Sequence, residues 1–159
     1  MALPPLLQDR LSLPAISAPM FLTSGPELVI NTCRNGVVGA FPALNQRTSE
    51  GFEDWLNEIE DGLDRAARDS AAREGSSTPI APYAVNLIVH KTNQRLEADL
   101  DICVKHKVPI IITSLGSNSE LVARVHDYGG IVLHDVTNVR HARKAASVGV
   151  DGLILVCAG

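Results

Sequence analysis

The sequence predicts an α/β fold in which parallel strands alternate with covering helices. Three observations carry this expectation. Short runs rich in Val and Ile recur along the chain, each followed by an amphipathic stretch. The runs are apolar almost without interruption, as strands buried on both faces must be. The 159 residues are 45% hydrophobic and 20% charged, a globular composition long enough for one domain and short for two.

Taken in order, 14–19 (PAISAP) is the first strand. Ser24, with Glu27 three residues on, reads as the N-cap of the first helix, which should end at Asn35-Gly36. A second strand spans 37–41 (VVGAF), and a long helix covers about 49–73. The polar run Glu74-Gly75-Ser76-Ser77-Thr78-Pro79 is a surface loop, because the same rhythm resumes after it. A strand over 84–89 (AVNLIV) precedes a helix over 94–106, where leucines, Ile102 and Val104 fall at helical spacing. A strand over 108–113 (VPIIIT) precedes a helix over 117–128 that stops at Gly129-Gly130. The last strands are 131–134 and 150–156, separated by a helix over 138–148 that Gly149 caps.

Six strand–helix beats without a helix after the sixth strand fit two architectures. One is a doubly wound open sheet. The other is a (β/α)8 barrel cut after its sixth strand, since a full barrel takes about 250 residues. The pattern leaves both open, and the missing last helix favours the barrel.

The net charge of −4 and a pI near 5.7 argue against a non-specific nucleic-acid binder. No apolar run reaches the ~20 residues of a membrane helix, and the N-terminus lacks a signal peptide pattern. Cys33, Cys103 and Cys157 have neither metal spacing nor disulfide pairing, which suits a reducing cytoplasm. In both architectures ligands bind at the carboxyl ends of the strands. Those ends carry Ala18-Pro19-Met20, Phe41-Pro42-Ala43, Asn86, Thr113 to Gly116, His134-Asp135 and Cys157 to Gly159. Asn86 interrupts an apolar strand, so its amide needs a partner, which is either a neighbouring strand's backbone or a ligand. His134 has the same two readings. His90 could stand at the pocket rim. His106 and His126 lie near helix C-termini, and His141 reads as solvated beside Arg140 and Arg143. No Walker loop, dinucleotide fingerprint, nucleophile elbow or zinc-protease motif occurs, so the residues alone name no reaction.

The ordered set Ala18-Pro19-Met20, Gly36-Val37-Val38-Gly39, Val85-Asn86-Leu87 and His134-Asp135-Val136 resembles the nitronate monooxygenase family, formerly the 2-nitropropane dioxygenases. The closing run, from Ala142-Arg143-Lys144-Ala145 through Gly149-Val150-Asp151-Gly152 to Ala158-Gly159, shares the likeness. The resemblance implies an FMN-dependent TIM barrel, of which this chain would be the N-terminal part. It implies that Pro19 and Met20 pack on the flavin ring and that Asn86 contacts it. His134 stands where members more often carry Lys near the flavin. Ser114, Gly116 and Gly159 would face the same site. No catalytic residue falls within the chain, because the family's histidine would follow Gly159, and no metal is expected. The implied reaction converts alkyl nitronates and O2 to carbonyl compounds and nitrite. The rival readings are an FMN-type enoyl-acyl-carrier-protein reductase and a truncated, non-catalytic fragment. Self-association into a homo-oligomer through the open sheet edge is a further expectation.

Overall fold

A computed structural model describes residues 3–72 and 78–156. The polar run predicted as a surface loop lies mostly outside these residues, as do Cys157 and Gly159. The order of elements is β1 (Ile16–Ser17), α1 (Pro26–Arg34), β2 (Val38–Pro42), α2 (Ser49–Ala71), β3 (Tyr83–Ile88), α3 (Leu96–Lys105), β4 (Ile110–Ser114), α4 (Ser119–Asp127), β5 (Ile131–Val136), α5 (Val139–Ser147) and β6 (Gly152–Leu155). The strands form one parallel sheet in the order β1-β2-β3-β4-β5-β6. This sequential order excludes the doubly wound arrangement, in which the first strand lies inside the sheet. Two compact units divide the chain, 1–84 and 85–159.

In the first unit, β1 pairs with β2 in the register Ile16↔Val38 and Ser17↔Gly39. Every residue of β2 is buried, as its apolar run requires. Gly39 is the close-packing point between β2 and α1, since a Cβ there would lie 2.6 Å from the Val29 carbonyl oxygen. Helix α2 is amphipathic and buries Phe52, Leu56 and Ile59. Phe41 of β2 packs against Phe52 and Trp55, with ring centroids 6.0 and 5.9 Å apart. Thr48 is the N-cap of α2, accepting from the Gly51 amide at 3.0 Å. The N-cap of α1 differs from expectation. It is Gly25, followed by Pro26 at the first helical position, and no side chain caps it. Pro26 presets the helical φ at the first helical position, so the helix begins one residue later than the Ser24 cap reading requires. Ser24 is freed for another task, described below. The predicted end of α1 is as read, with Asn35 as C-cap and Gly36 at φ +76°.

In the second unit, β4 and β5 align Ile110↔Ile131 through Thr113↔His134, and β5 and β6 align Leu133↔Gly152 through Val136↔Leu155. The side chains of Ile110, Ile111, Ile112, Leu121, Val125 and Val132 form its core. Asn118 caps α4 through the Glu120 and Leu121 amides, and Asn138 caps α5 through the His141 amide. His126 in the last turn of α4 meets Asp151 at 2.9 Å, and the same carboxylate oxygen accepts from the Val132 amide at 2.7 Å. Among the described residues, no helix is long and apolar enough to cross a membrane, and no group of three or more His, Cys, Asp or Glu is placed to hold a metal ion.

Candidate functional site

The strand mouths carry the polar groups of both units. In the first unit, the chain leaves β1 through Ala18-Pro19-Met20. The Ser24 hydroxyl accepts from the Met20 amide at 3.0 Å and donates to the Ala18 carbonyl at 3.4 Å. Asn45, just past the mouth of β2, clamps the same turn. Its Nδ2 donates to the carbonyls of Met20 and Ser24, and its Oδ1 accepts from the Leu22 amide. Two side chains thus hold a turn whose apolar residues Met20, Phe21 and Leu22 remain exposed. Leu22 adopts φ +61°, a conformation that costs a non-glycine residue about 1–2 kcal/mol. Asn45 was not visible as a site residue in the sequence. Its only signal was its place two residues beyond Phe41-Pro42-Ala43.

In the second unit, one hydrogen-bonded chain crosses the mouths of β3, β4 and β5. The Asn86 amide donates to the Ile112 carbonyl at 3.1 Å and to Ser114 Oγ at 2.8 Å. Ser114 in turn donates to Asp135 Oδ2 at 2.6 Å. Both N–H groups of Asn86 are thereby committed, so what the buried amide has left is acceptor capacity at Oδ1. The backbone reinforces the link, because the Val89 amide donates to the Ser114 carbonyl at 2.8 Å. Gly116 comes so close to this exit that a Cβ would lie 2.2 Å from the Val89 carbonyl oxygen. No other residue fits that approach.

Thr113 and His134, register partners on β4 and β5, form a second pair. Thr113 Oγ1 lies 2.6 Å from His134 Nδ1 and 3.2 Å from the Leu133 carbonyl. Burial pushes the His134 imidazole below its ordinary pKa of 6.5. The Asp135 carboxylate partly opposes this, while His141 and Lys144 add to it. The ring is therefore mainly neutral at pH 7. Its remaining nitrogen is a donor or an acceptor according to whether the threonine hydroxyl gives its proton to Nδ1 or to the carbonyl.

A cavity of about 550 Å³ opens beside these groups, lined by Ser114, Gly116, Ser117, His134 and Asp135, and by His90, His141 and Lys144. That volume lies in the range of small-molecule sites. Of the residues singled out in the sequence, Ser114, Gly116 and His134 share this cavity, and Asn86 is bonded to Ser114. Pro19 and Met20 belong to the turn of the first unit. Gly159 is outside the described residues. His141 is exposed, as read, and it also lines the cavity and bonds Thr137 and Asn138. No spacing in the chain pairs it with a strand mouth, because its placement depends on how α5 returns across β5.

No family model matches the chain. A curated protein of Rhodococcus jostii (strain RHA1), (3aS,4S,5R,7aS)-5-hydroxy-7a-methyl-1-oxo-octahydro-1H-indene-4-carboxyl-CoA dehydrogenase, is 22% identical over 142 residues. The match takes in 89% of this chain and 35% of that protein. Among solved structures, a nitroalkane oxidase from Streptomyces ansochromogenes superposes with a TM-score of 0.76 at 19% identity, over 94% of this chain and 48% of its own. FabK from Thermotoga maritima gives 0.75 at 18% identity, over 94% and 42%. The chain thus spans about a third of the curated relative and under half of these structures. With the sequential parallel order, the superpositions show the fold to be a partial TIM barrel of six strands and alternating helices.

Proposed function

We propose that this chain forms the first six strand–helix units of an FMN-dependent oxidoreductase, and that the whole enzyme oxidises alkyl nitronates with O2 to carbonyl compounds and nitrite. The observation that carries the reading is the superposition of 94% of the chain on a protein described as a nitroalkane oxidase. Of the motif residues, Ser114 ends β4, and Asn86 and His134 lie in the carboxyl halves of β3 and β5, toward the end where a barrel places its chemistry. The residues present suit a flavin. A planar ring needs polar partners at its edge, and the second unit offers Asn86, Ser114 and His134 for these; Pro19 and Met20 are assigned as apolar cover from the motif alone. Gly159 is assigned to the same site from the motif alone. With both Asn86 N–H groups committed to β4 and Ser114, its amide would receive a donor from the ligand rather than give one. Neutral His134 would donate or accept a hydrogen bond at its free nitrogen without adding charge. Bound FMN would supply the electron acceptor, and the protein's part is orientation and electrostatics.

The test is the full-length enzyme, purified and assayed for bound flavin and for nitrite released from propane-2-nitronate. Nitronate-dependent nitrite with O2 uptake supports the proposal, and a colourless protein without flavin overturns it. Asn86→Ala should weaken FMN retention by about 1–3 kcal/mol. A second reading, a reductase or dehydrogenase of thioesters such as the FMN-type enoyl-acyl-carrier-protein reductase, draws on the coenzyme A thioester named in the Rhodococcus relative. NAD(P)H oxidation driven by an enoyl thioester, with no nitrite from nitronates, would select it.

A further inference from the structure

The cavity of the second unit has a feature that the flavin reading does not use. Three histidines line it, and each has its Nδ1 beside a threonine hydroxyl. His90 Nδ1 lies 2.9 Å from Thr92, His134 Nδ1 2.6 Å from Thr113, and His141 Nδ1 3.1 Å from Thr137. Each ring is thus fixed through one nitrogen. Its Nε2 has no partner among the described residues. Three free Nε2 atoms would invite a metal ion if they converged, but no metal-holding group of His, Cys, Asp or Glu occurs among the described residues. A spread set of ring nitrogens suits a larger ligand with several acceptor oxygens. Lys144 adds a fixed cation to the same wall, and Ser117 adds a buried hydroxyl without a hydrogen-bond partner among the described residues. A buried hydroxyl without a partner is a cost that a ligand oxygen would remove. Of the charged and titratable groups facing the cavity, which are His90, His134, Asp135, His141 and Lys144, only Asp135 is acidic, and Ser114 already donates to its carboxylate.

We propose that this cavity is an anion site that takes the phosphate group of an organic ligand, held by His141 and Lys144 of α5, by His90 and by the Ser117 hydroxyl. The proposal does not depend on the reaction assigned above. A phosphate accepts several hydrogen bonds at once, imidazole N–H and hydroxyl groups donate them, and the lysine makes its own charge-assisted. The phosphate could belong to a bound cofactor or to the carrier arm of a substrate, and competition separates the two.

The full chain is titrated with inorganic pyrophosphate by calorimetry at constant ionic strength. Saturable binding is expected, weakened about tenfold by Lys144→Gln and by His141→Gln. Both residues are exposed, so neither variant threatens the fold. Arg140→Gln removes the same charge from the same helix outside the cavity and should leave the affinity unchanged. Displacement of pyrophosphate by FMN but not riboflavin marks a cofactor phosphate. Displacement by coenzyme A but not pantetheine marks a carrier phosphate. Absence of saturable binding, an equal loss in Arg140→Gln, or displacement by neither organic phosphate overturns the proposal.

Discussion

Ser114→Ala removes one hydroxyl from the middle of the polar chain across β3, β4 and β5. That hydroxyl accepts from Asn86 at 2.8 Å and donates to Asp135 at 2.6 Å. Asn86 is only 6% exposed, so the N–H it loses cannot simply turn to water. A buried donor left unpaired costs about 1–3 kcal/mol. The bond to the carboxylate is worth about 1.5–3 kcal/mol where it is fully sheltered, but Asp135 is only half-buried and water recovers part of that. The two losses share one atom and do not add in full, which places the expected destabilisation at about 2–4 kcal/mol. For a chain of this size, that lowers the melting temperature by about 4–16 °C. Urea unfolding followed by circular dichroism measures it, and Asp135→Asn with the double variant completes a cycle. A coupling of at least about 1 kcal/mol between Ser114 and Asp135 is expected. A loss below about 0.5 kcal/mol for Ser114→Ala, or strict additivity in the cycle, would refute the claim that these groups act as one buried network.

Other perturbations test other parts of the structure. His134 titrates below its ordinary value in the folded state, so the unfolded chain takes up the proton first as the pH falls. Its contribution is complete above about pH 6.5 and is lost below it, down to the folded pKa, and His134→Gln should flatten that acid limb in urea midpoints taken across the range. Burial raises the Cys33 thiol to about 11 and the Cys103 thiol further, so residue-mapped alkylation at neutral pH should leave both unmodified until the protein unfolds. Gly39→Ala drives a methyl group to within 2.6 Å of the Val29 carbonyl oxygen and 2.9 Å of its Cα, both backbone atoms of α1. It should cost at least about 1–3 kcal/mol in the same unfolding assay.

The sequence revealed the elements more readily than their junctions. Short, β-branched apolar runs such as Ile110-Ile111-Ile112 favour buried strands, and the caps at Asn118 and Asn138 stand where the helical pattern begins. Ser24 was misread because a cap signature is local, whereas its hydroxyl is used by the turn four residues earlier, and the helix starts one residue later, at Pro26. At the candidate site, Asn86 and His134 were visible because a polar group inside an apolar run demands an explanation. Their partners were not, because the bonds to Ser114 and Thr113 depend on strand register, which fixes which residues of β4 stand beside β3 and β5. His141 and Lys144 were illegible for a related reason. A helix face reaches a cavity only through its packing angle, and no spacing in the chain encodes that by itself.

The register of the sheet also bears on how quickly the fold can be reached. The strand pairings of β1 with β2, β4 with β5 and β5 with β6 join residues 22 apart at Ile16↔Val38, 21 apart at Ile110↔Ile131 and 19 apart at Leu133↔Gly152. Loop-closure entropy grows only with the logarithm of length, so these steps carry nearly the same entropic barrier. A ribosome adding about 5–20 residues per second needs about 1–4 s to deliver one such strand–helix repeat. Helices form within about a microsecond and loops of this scale close faster still. Each new strand therefore has ample time to search for its predecessor before the next is synthesised, and the order of synthesis matches the order of neighbours in the sheet.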